Sequence, residues 1–133
     1  MTRIFIDPGH GGEDNGAESH DLLEKDLCLE IAKHLNDILR HEYNDVQVKL
    51  SREEDEEIEL SARAHMANDW DADYFVSIHI NAGGGSGFES YIHESQPEKT
   101  ADLQGKIHKK VIETTDVQDR GMKAANFAVL RET

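Results

Sequence analysis

The stretch that decides the fold is IFIDPGHGG, residues 4–12. Its apolar start predicts a buried strand, and Pro8 and Gly9 end that strand. Glycines on both sides of His10 allow a sharp turn and leave the imidazole uncrowded. Because open α/β sheets bind ligands at the carboxyl ends of their strands, His10 lies where a site is expected.

Apolar periodicity divides the rest of the chain into alternating helices and strands. Helices are predicted over residues 22–42, over residues 58–70 and from Pro97 onward. Further strands are predicted at residues 46–50, 74–79, 88–92 and 127–130. This alternation predicts a single α/β domain with a mostly parallel, twisted sheet flanked by helices.

The first predicted helix places a carboxylate near the same edge. Asp21 is its predicted N-cap, and Glu24 lies in the first turn, where the helix dipole favours negative charge. Leucines and isoleucines at three- and four-residue spacing, among them Ile31 and Ile38, form the predicted buried stripe.

Composition excludes several functional classes. The chain has 133 residues and a formal net charge of -14, which argues against a nucleic-acid partner and against unaided docking to an anionic membrane. No run of eighteen apolar residues is present, and the N-terminus lacks the pattern of a secretory signal. The acidic run at residues 53–57 is interpreted as a solvated loop, and Cys28 as a buried apolar residue.

Three side chains from separate segments converge on one edge of the predicted sheet. His10 and His79 end strands, and Glu24 opens the helix after the first strand. Two imidazoles and a carboxylate are the ligands of many catalytic zinc sites. Spacing alone leaves alternatives open: an anion-binding glycine loop, a buried core histidine and an ordinary carboxylate at a helix start.

The order of three motifs is more specific. The segments IDPGHGG (6–12), EKDL (24–27) and SIHINA (77–82) resemble the zinc-dependent N-acetylmuramoyl-L-alanine amidases of autolysins, sporulation-associated wall hydrolases and phage endolysins. The likeness covers essentially the whole chain. It implies that His10, Glu24 and His79 bind Zn²⁺ and that the substrate is peptidoglycan, cleaved between N-acetylmuramic acid and the L-alanine of the stem peptide.

The resemblance also implies supporting residues. Asn81 and the glycine-rich loop after it are expected to line the cleft. Arg63 and Asn68 are expected to support the site, with helix-surface polarity as the alternative interpretation. The other histidines match no ligand position of the family.

One departure from the family concerns the general acid/base. In the family a catalytic glutamate lies in a strand soon after the segment that matches residues 129–131, which places it beyond Thr133. Residues 1–133 are therefore expected to form an amidase domain that lacks the last strand and helix, has no wall-binding module and has no assigned catalytic residue. The alternatives are a catalytically impaired zinc-binding fragment, a wall-binding or regulatory module, and a small-anion or nucleotide-binding domain.

Without a signal sequence, the expected route is synthesis in the cytoplasm and action on the wall after release, as for phage or mother-cell lysis enzymes.

Overall fold

The computed structural model describes residues 1–80 and 87–133. They belong to two compact units, Met1–Ala82 with Glu132–Thr133, and Gly83–Arg131. The elements of the first unit are β1 (Thr2–Pro8), β2 (Glu18–Ser19), β3 (Leu22–Leu23), α1 (Glu24–Glu42), β4 (Val46–Leu50), α2 (Leu60–Asp69) and β5 (Tyr74–Ile78). Those of the second are β6 (Phe88–His93), α3 (Glu98–Thr114), β7 (Asp119–Ala125) and α4 (Ala128–Arg131).

The first unit is built on a parallel three-stranded sheet in the order β4-β1-β5. The central strand β1 carries Phe5 and Ile6, both fully buried. Ile6 joins Ala32 of α1 and Val48 and Leu50 of β4 in one apolar cluster. This burial, worth about 1.5–3 kcal/mol for each large side chain, fixes α1 on the sheet.

Helix α1 begins two residues later than its apolar pattern predicts. Leu22 and Leu23 pair with β2 in a short antiparallel hairpin, and Asp21 lies in the turn with a φ of 63°, so the prediction that it caps the helix is wrong. The buried stripe is also rotated: Ile31 and Ile38 are exposed. The face that packs inward is Glu24, Lys25, Cys28 and Ala32. Glu24, Cys28 and Ala32 are spaced four residues apart and therefore lie on one face of the helix. This face turns inward because Glu24 points into a cluster of polar side chains at the end of the sheet.

The second unit pairs β6 with β7 in parallel, and α3 packs against both strands. The predicted strand at residues 127–130 is wrong. Those residues lie largely in α4, where the carbonyl of Phe127 accepts from the N–H groups of Leu130 and Arg131. The strand lies earlier, where β7 alternates exposed and half-buried residues as a one-sided strand does.

The prediction of an α/β fold with parallel strands flanked by helices is confirmed. Among residues 1–80 and 87–133, no helix has the length and apolar character needed to span a membrane.

Candidate metal centre

Strand register brings the two histidines of the site together. Pro8 and Ile78 are register partners at the carboxyl ends of β1 and β5, and the Gly9 N–H donates to the Ile78 carbonyl at 2.9 Å. His10 and His79 follow directly, and their rings meet edge to face with centroids 5.1 Å apart. Neighbouring parallel strands that end in register thus place both imidazoles at one edge of the sheet.

Glu24 completes the cluster as the first residue of α1. Its Oε2 lies 3.0 Å from His10 Nε2 and 3.2 Å from His79 Nδ1. One ligand atom from each of the three side chains lies within 4.8 Å of the other two. The side chains become progressively more open to solvent, from 6% exposed for Glu24 to 25% for His10 and 40% for His79. The cluster therefore has a buried carboxylate on one side and a solvent-exposed imidazole, that of His79, on the other.

The donor set fits a metal cation better than it fits protons. Glu24 Oε2 also accepts a hydrogen bond from the Ile80 N–H at 3.0 Å, so three nitrogens face this oxygen: the Ile80 nitrogen, His10 Nε2 and His79 Nδ1. The oxygen has two lone pairs and cannot accept a well-formed hydrogen bond from all three. A cation placed among the three side chains would bind the two imidazole nitrogens and the carboxylate together. Imidazole and carboxylate are the nitrogen and oxygen ligands that zinc accepts.

Glu24 stays ionised despite its burial. Desolvation acts to raise its pKa, but hydrogen bonds from the N–H groups of Ala17 and Ile80 outweigh it, with help from the nearby imidazoles of His10 and His79. The net result is a pKa below the ordinary value. The carboxylate is therefore anionic at neutral pH, as a metal ligand must be.

Two glycines are required by close approaches at the cluster. A Cβ on Gly9 would lie 2.5 Å from His79 Cε1. A Cβ on Gly16, whose φ is +68°, would lie 2.6 Å from His10 Cδ2 and 2.8 Å from Glu24 Oε1. Any larger residue at these two positions would displace a candidate ligand.

Arg63 supports the backbone of the loop that carries His10. Its guanidinium, 3% exposed, donates to the carbonyls of Pro8 and His10, at 2.8 Å each, and pairs with Asp7 Oδ1 at 3.0 Å. Asp7 is itself 1% exposed and also accepts from the hydroxyls of Ser51 and Ser77. His10 has a φ of 62°, a conformation that costs energy outside glycine, and these bonds help to hold it.

The acidic run is more than a solvated loop. Asp55 accepts from Lys25 Nζ at 2.9 Å and from the Gly12 N–H at 2.8 Å, while Lys25 also donates to the Gly12 carbonyl at 2.7 Å. These bonds, with the Lys25 hydrogen bond as the largest cause, lower the pKa of Asp55. One residue of the run therefore ties it to the loop that carries His10.

Asp14 is a residue of the site that sequence reasoning missed. Its Oδ2 lies 2.9 Å from His10 Nδ1, on the side of the ring away from Glu24. The hydrogen bond from His10 is the main cause that lowers the pKa of Asp14; partial burial opposes it, and the Gly16 N–H adds to it. The signal in the sequence is the i, i+4 spacing from His10, which reads as helical but occurs here in a loop.

Asn68, which the resemblance predicts to support the site, donates to the Glu132 carbonyl at 2.7 Å, and among residues 1–80 and 87–133 none of its hydrogen bonds reaches His10, Glu24 or His79. Asn81 and the glycine-rich loop after it lie outside the described residues.

The fold and the cluster are those of a class of proteins in which a parallel α/β sheet presents imidazole and carboxylate ligands at its carboxyl edge. The family model described as N-acetylmuramoyl-L-alanine amidase matches residues 4–133, and the chain belongs to this family.

Relatives agree with this assignment. The chain is 52% identical over its whole length to a sporulation-specific N-acetylmuramoyl-L-alanine amidase of Bacillus subtilis, of which it covers 52%. It is 43% identical, over 98% of its length, to an endolysin of Bacillus phage SPP1, of which it covers 50%. The crystal structure of an N-acetylmuramoyl-L-alanine amidase from Clostridium difficile 630 superposes with a TM-score of 0.95 at 40% identity, over 99% of this chain and 74% of that one. The chain spans about half the length of the curated relatives it matches.

Proposed function

We propose that this chain hydrolyses the amide between N-acetylmuramic acid and the L-alanine of the stem peptide in peptidoglycan, at a zinc ion held by His10, Glu24 and His79. Membership of the amidase family supports the reaction. The observation that carries the proposal is the convergence of three nitrogens on the buried carboxylate oxygen Glu24 Oε2.

When bound, zinc supplies a Lewis acid that polarises a carbonyl oxygen and lowers the pKa of water. The chain's own residues hold the ligands in place. Glu24 supplies the negative charge, and its low pKa keeps it anionic. The ring of His79 lies against Gly9, and Gly16 leaves room for the ring of His10. The exposed side of His79 gives a polymeric substrate access to the site.

We place the action of this chain on the bacterial wall, after release from the cell that makes it. A relative named as a phage endolysin supports this. The net charge of -14 supports the view that neither nucleic acid nor an anionic membrane is the partner.

The test measures zinc content and peptidoglycan cleavage together. The native chain, His79→Ala and His34→Ala are dialysed without chelator, and bound zinc is counted by atomic absorption. His34 lies exposed on α1 and serves as the matched control. We expect about one zinc per chain in the native protein and in His34→Ala, and far less in His79→Ala.

Cleavage is followed on purified wall as new α-amino groups of L-alanine, without new reducing sugar ends. If the native protein contains no zinc, even after zinc is added back, the metal assignment is refuted. Reducing ends in place of amino groups would refute the amidase reaction.

A further inference from the structure

We propose that Asp14 is a positioning residue for His10: it fixes the imidazole in the tautomer that carries its hydrogen on Nδ1, which leaves the lone pair of Nε2 facing Glu24 and His79. The inference rests on the proposed function only where it concerns zinc. The tautomer itself is a property of the chain without metal.

The two nitrogens of His10 face two different carboxylates. Nδ1 lies 2.9 Å from Asp14 Oδ2, and Nε2 lies 3.0 Å from Glu24 Oε2. An ionised carboxylate only accepts, so each would draw a hydrogen to the nitrogen it faces. The two are not equal competitors, because Glu24 Oε2 already faces the Ile80 N–H and His79 Nδ1. Within the part of the chain that the structure describes, the donor at Asp14 Oδ2 is His10 Nδ1 alone, so the hydrogen of neutral His10 belongs on Nδ1.

Asp14 is itself held in orientation. Its Oδ1 accepts from the Gly16 N–H at 3.1 Å. Its backbone exchanges two hydrogen bonds with Gly11, at 2.8 and 3.0 Å. The side chain is 51% exposed, yet both of its oxygens have defined roles. A carboxylate fixed in this way can set the direction of the imidazole as well as its tautomer.

A carboxylate behind a metal-binding histidine has a measurable effect. It fixes the ring and raises its basicity, and its loss typically lowers metal affinity about 10- to 100-fold. Two substitutions separate this role from a role in charge or structure. Asp14→Ala removes both oxygens and leaves Nδ1 to water.

Asp14→Asn has a different consequence. The Gly16 N–H can only donate, so the amide oxygen stays on Gly16 and the amide NH₂ faces His10 Nδ1. That group donates to Nδ1 and forces the hydrogen onto Nε2, which then has no lone pair for a metal. We therefore expect Asp14→Asn to be more damaging than Asp14→Ala. If Asp14 acted only through its negative charge, Asp14→Asn and Asp14→Ala would weaken zinc binding equally. If Asp14 acted only by holding the loop in shape, Asp14→Ala would be the more damaging of the two.

The first measurement is ¹⁵N NMR of the imidazoles in metal-free protein, recorded at rising pH until the His10 signals no longer change, so that the neutral ring is observed. The His10 signals are assigned by their absence in His10→Gln. We expect hydrogen on Nδ1 in the native chain and on Nε2 in Asp14→Asn. Glu13→Gln, which removes the same charge from the neighbouring exposed residue, keeps the native pattern.

The second measurement is zinc affinity by competition with a chelator, on variants whose folding is checked by circular dichroism. We expect weakening of about 10- to 100-fold for Asp14→Asn, a smaller loss for Asp14→Ala and none for Glu13→Gln. Hydrogen on Nε2 in the native chain, or equal affinity in Asp14→Asn and Asp14→Ala, would overturn the inference. If the native chain binds no zinc at all, the proposed function fails, while the NMR result still decides the role of Asp14.

Discussion

The buried pair of Arg63 and Asp7 gives the sharpest prediction about stability. Arg63 is 3% exposed and Asp7 is 1% exposed, and the two are 3.0 Å apart. Arg63→Met removes the cation and keeps much of the volume. Among residues 1–80 and 87–133, the side-chain hydrogen bonds that then remain to the Asp7 carboxylate come from the hydroxyls of Ser51 and Ser77. Loss of one partner of a buried ion pair costs about 3–5 kcal/mol, because the other charge stays buried.

The double variant Arg63→Met with Asp7→Asn tests that reason. It removes both charges of the pair, so neither partner is left buried without the other. We expect its loss of unfolding free energy to be smaller than the sum of the single losses by about 1–3 kcal/mol. Urea unfolding followed by circular dichroism measures all three, and Arg120→Met, an exposed arginine, is the control with an expected change below about 0.5 kcal/mol.

The result that refutes this reasoning is additivity. If the single losses add to within about 0.5 kcal/mol, the two side chains act independently and the burial of their charges does not couple them. A loss below about 1 kcal/mol in Arg63→Met alone would also contradict it, because the site would then tolerate an unpaired carboxylate.

Two further predictions concern the loop of the site and the second unit. Gly16→Ala brings a methyl group 2.6 Å from His10 Cδ2, and we expect it to weaken zinc binding about tenfold or more in a chelator competition. The control is Gly105→Ala, where a Cβ meets nothing within 4 Å and the zinc affinity should not change. Equal zinc affinities in the two variants would show that the loop accommodates the methyl group without moving His10. The pKa of Asp119 is lowered, chiefly by its hydrogen bond with His108, so this carboxylate stabilises the fold above its unfolded pKa and loses that contribution as pH falls through the lower folded value. Asp119→Asn should therefore have a lower urea midpoint than the native protein at pH 7, and the two midpoints should converge as the pH falls below about 4. A difference between the midpoints that stays constant with pH would rule out ionisation of Asp119 as its cause.

The meeting of His10, Glu24 and His79 at one edge of the sheet could be predicted from topology, whereas their assignment as zinc ligands depends on the family resemblance. His10 and His79 end strands and Glu24 opens a helix, and parallel strands bring such positions to one edge whatever the details of packing. The structure adds what topology does not contain: the register of Pro8 with Ile78 and the inward turn of Glu24.

Asp14 could not be predicted because its contact depends on local backbone geometry. Positive φ at His10, Gly11 and Gly12 turns the loop back, so that His10 and Asp14, four residues apart, meet without a helix. The error at residues 127–130 has a related cause, since a short apolar run has no periodicity that separates a strand from one helical turn. In the sequence Asp55 is one of five consecutive acidic residues and is interpreted with them as part of a solvated loop. Only the fold shows that Asp55, of these five, forms an ion pair with Lys25.

The ligands of the candidate centre are far apart along the chain, at positions 10, 24 and 79, and only the paired strands and α1 bring them together. An unfolded chain would hold no such centre, so the binding free energy of the ion would become folding free energy. At a free zinc concentration of about a thousand times Kd, that amounts to about 4 kcal/mol. On this proposal the supply of metal in the surroundings sets how long the domain survives heat and proteases, apart from whether it cuts its substrate.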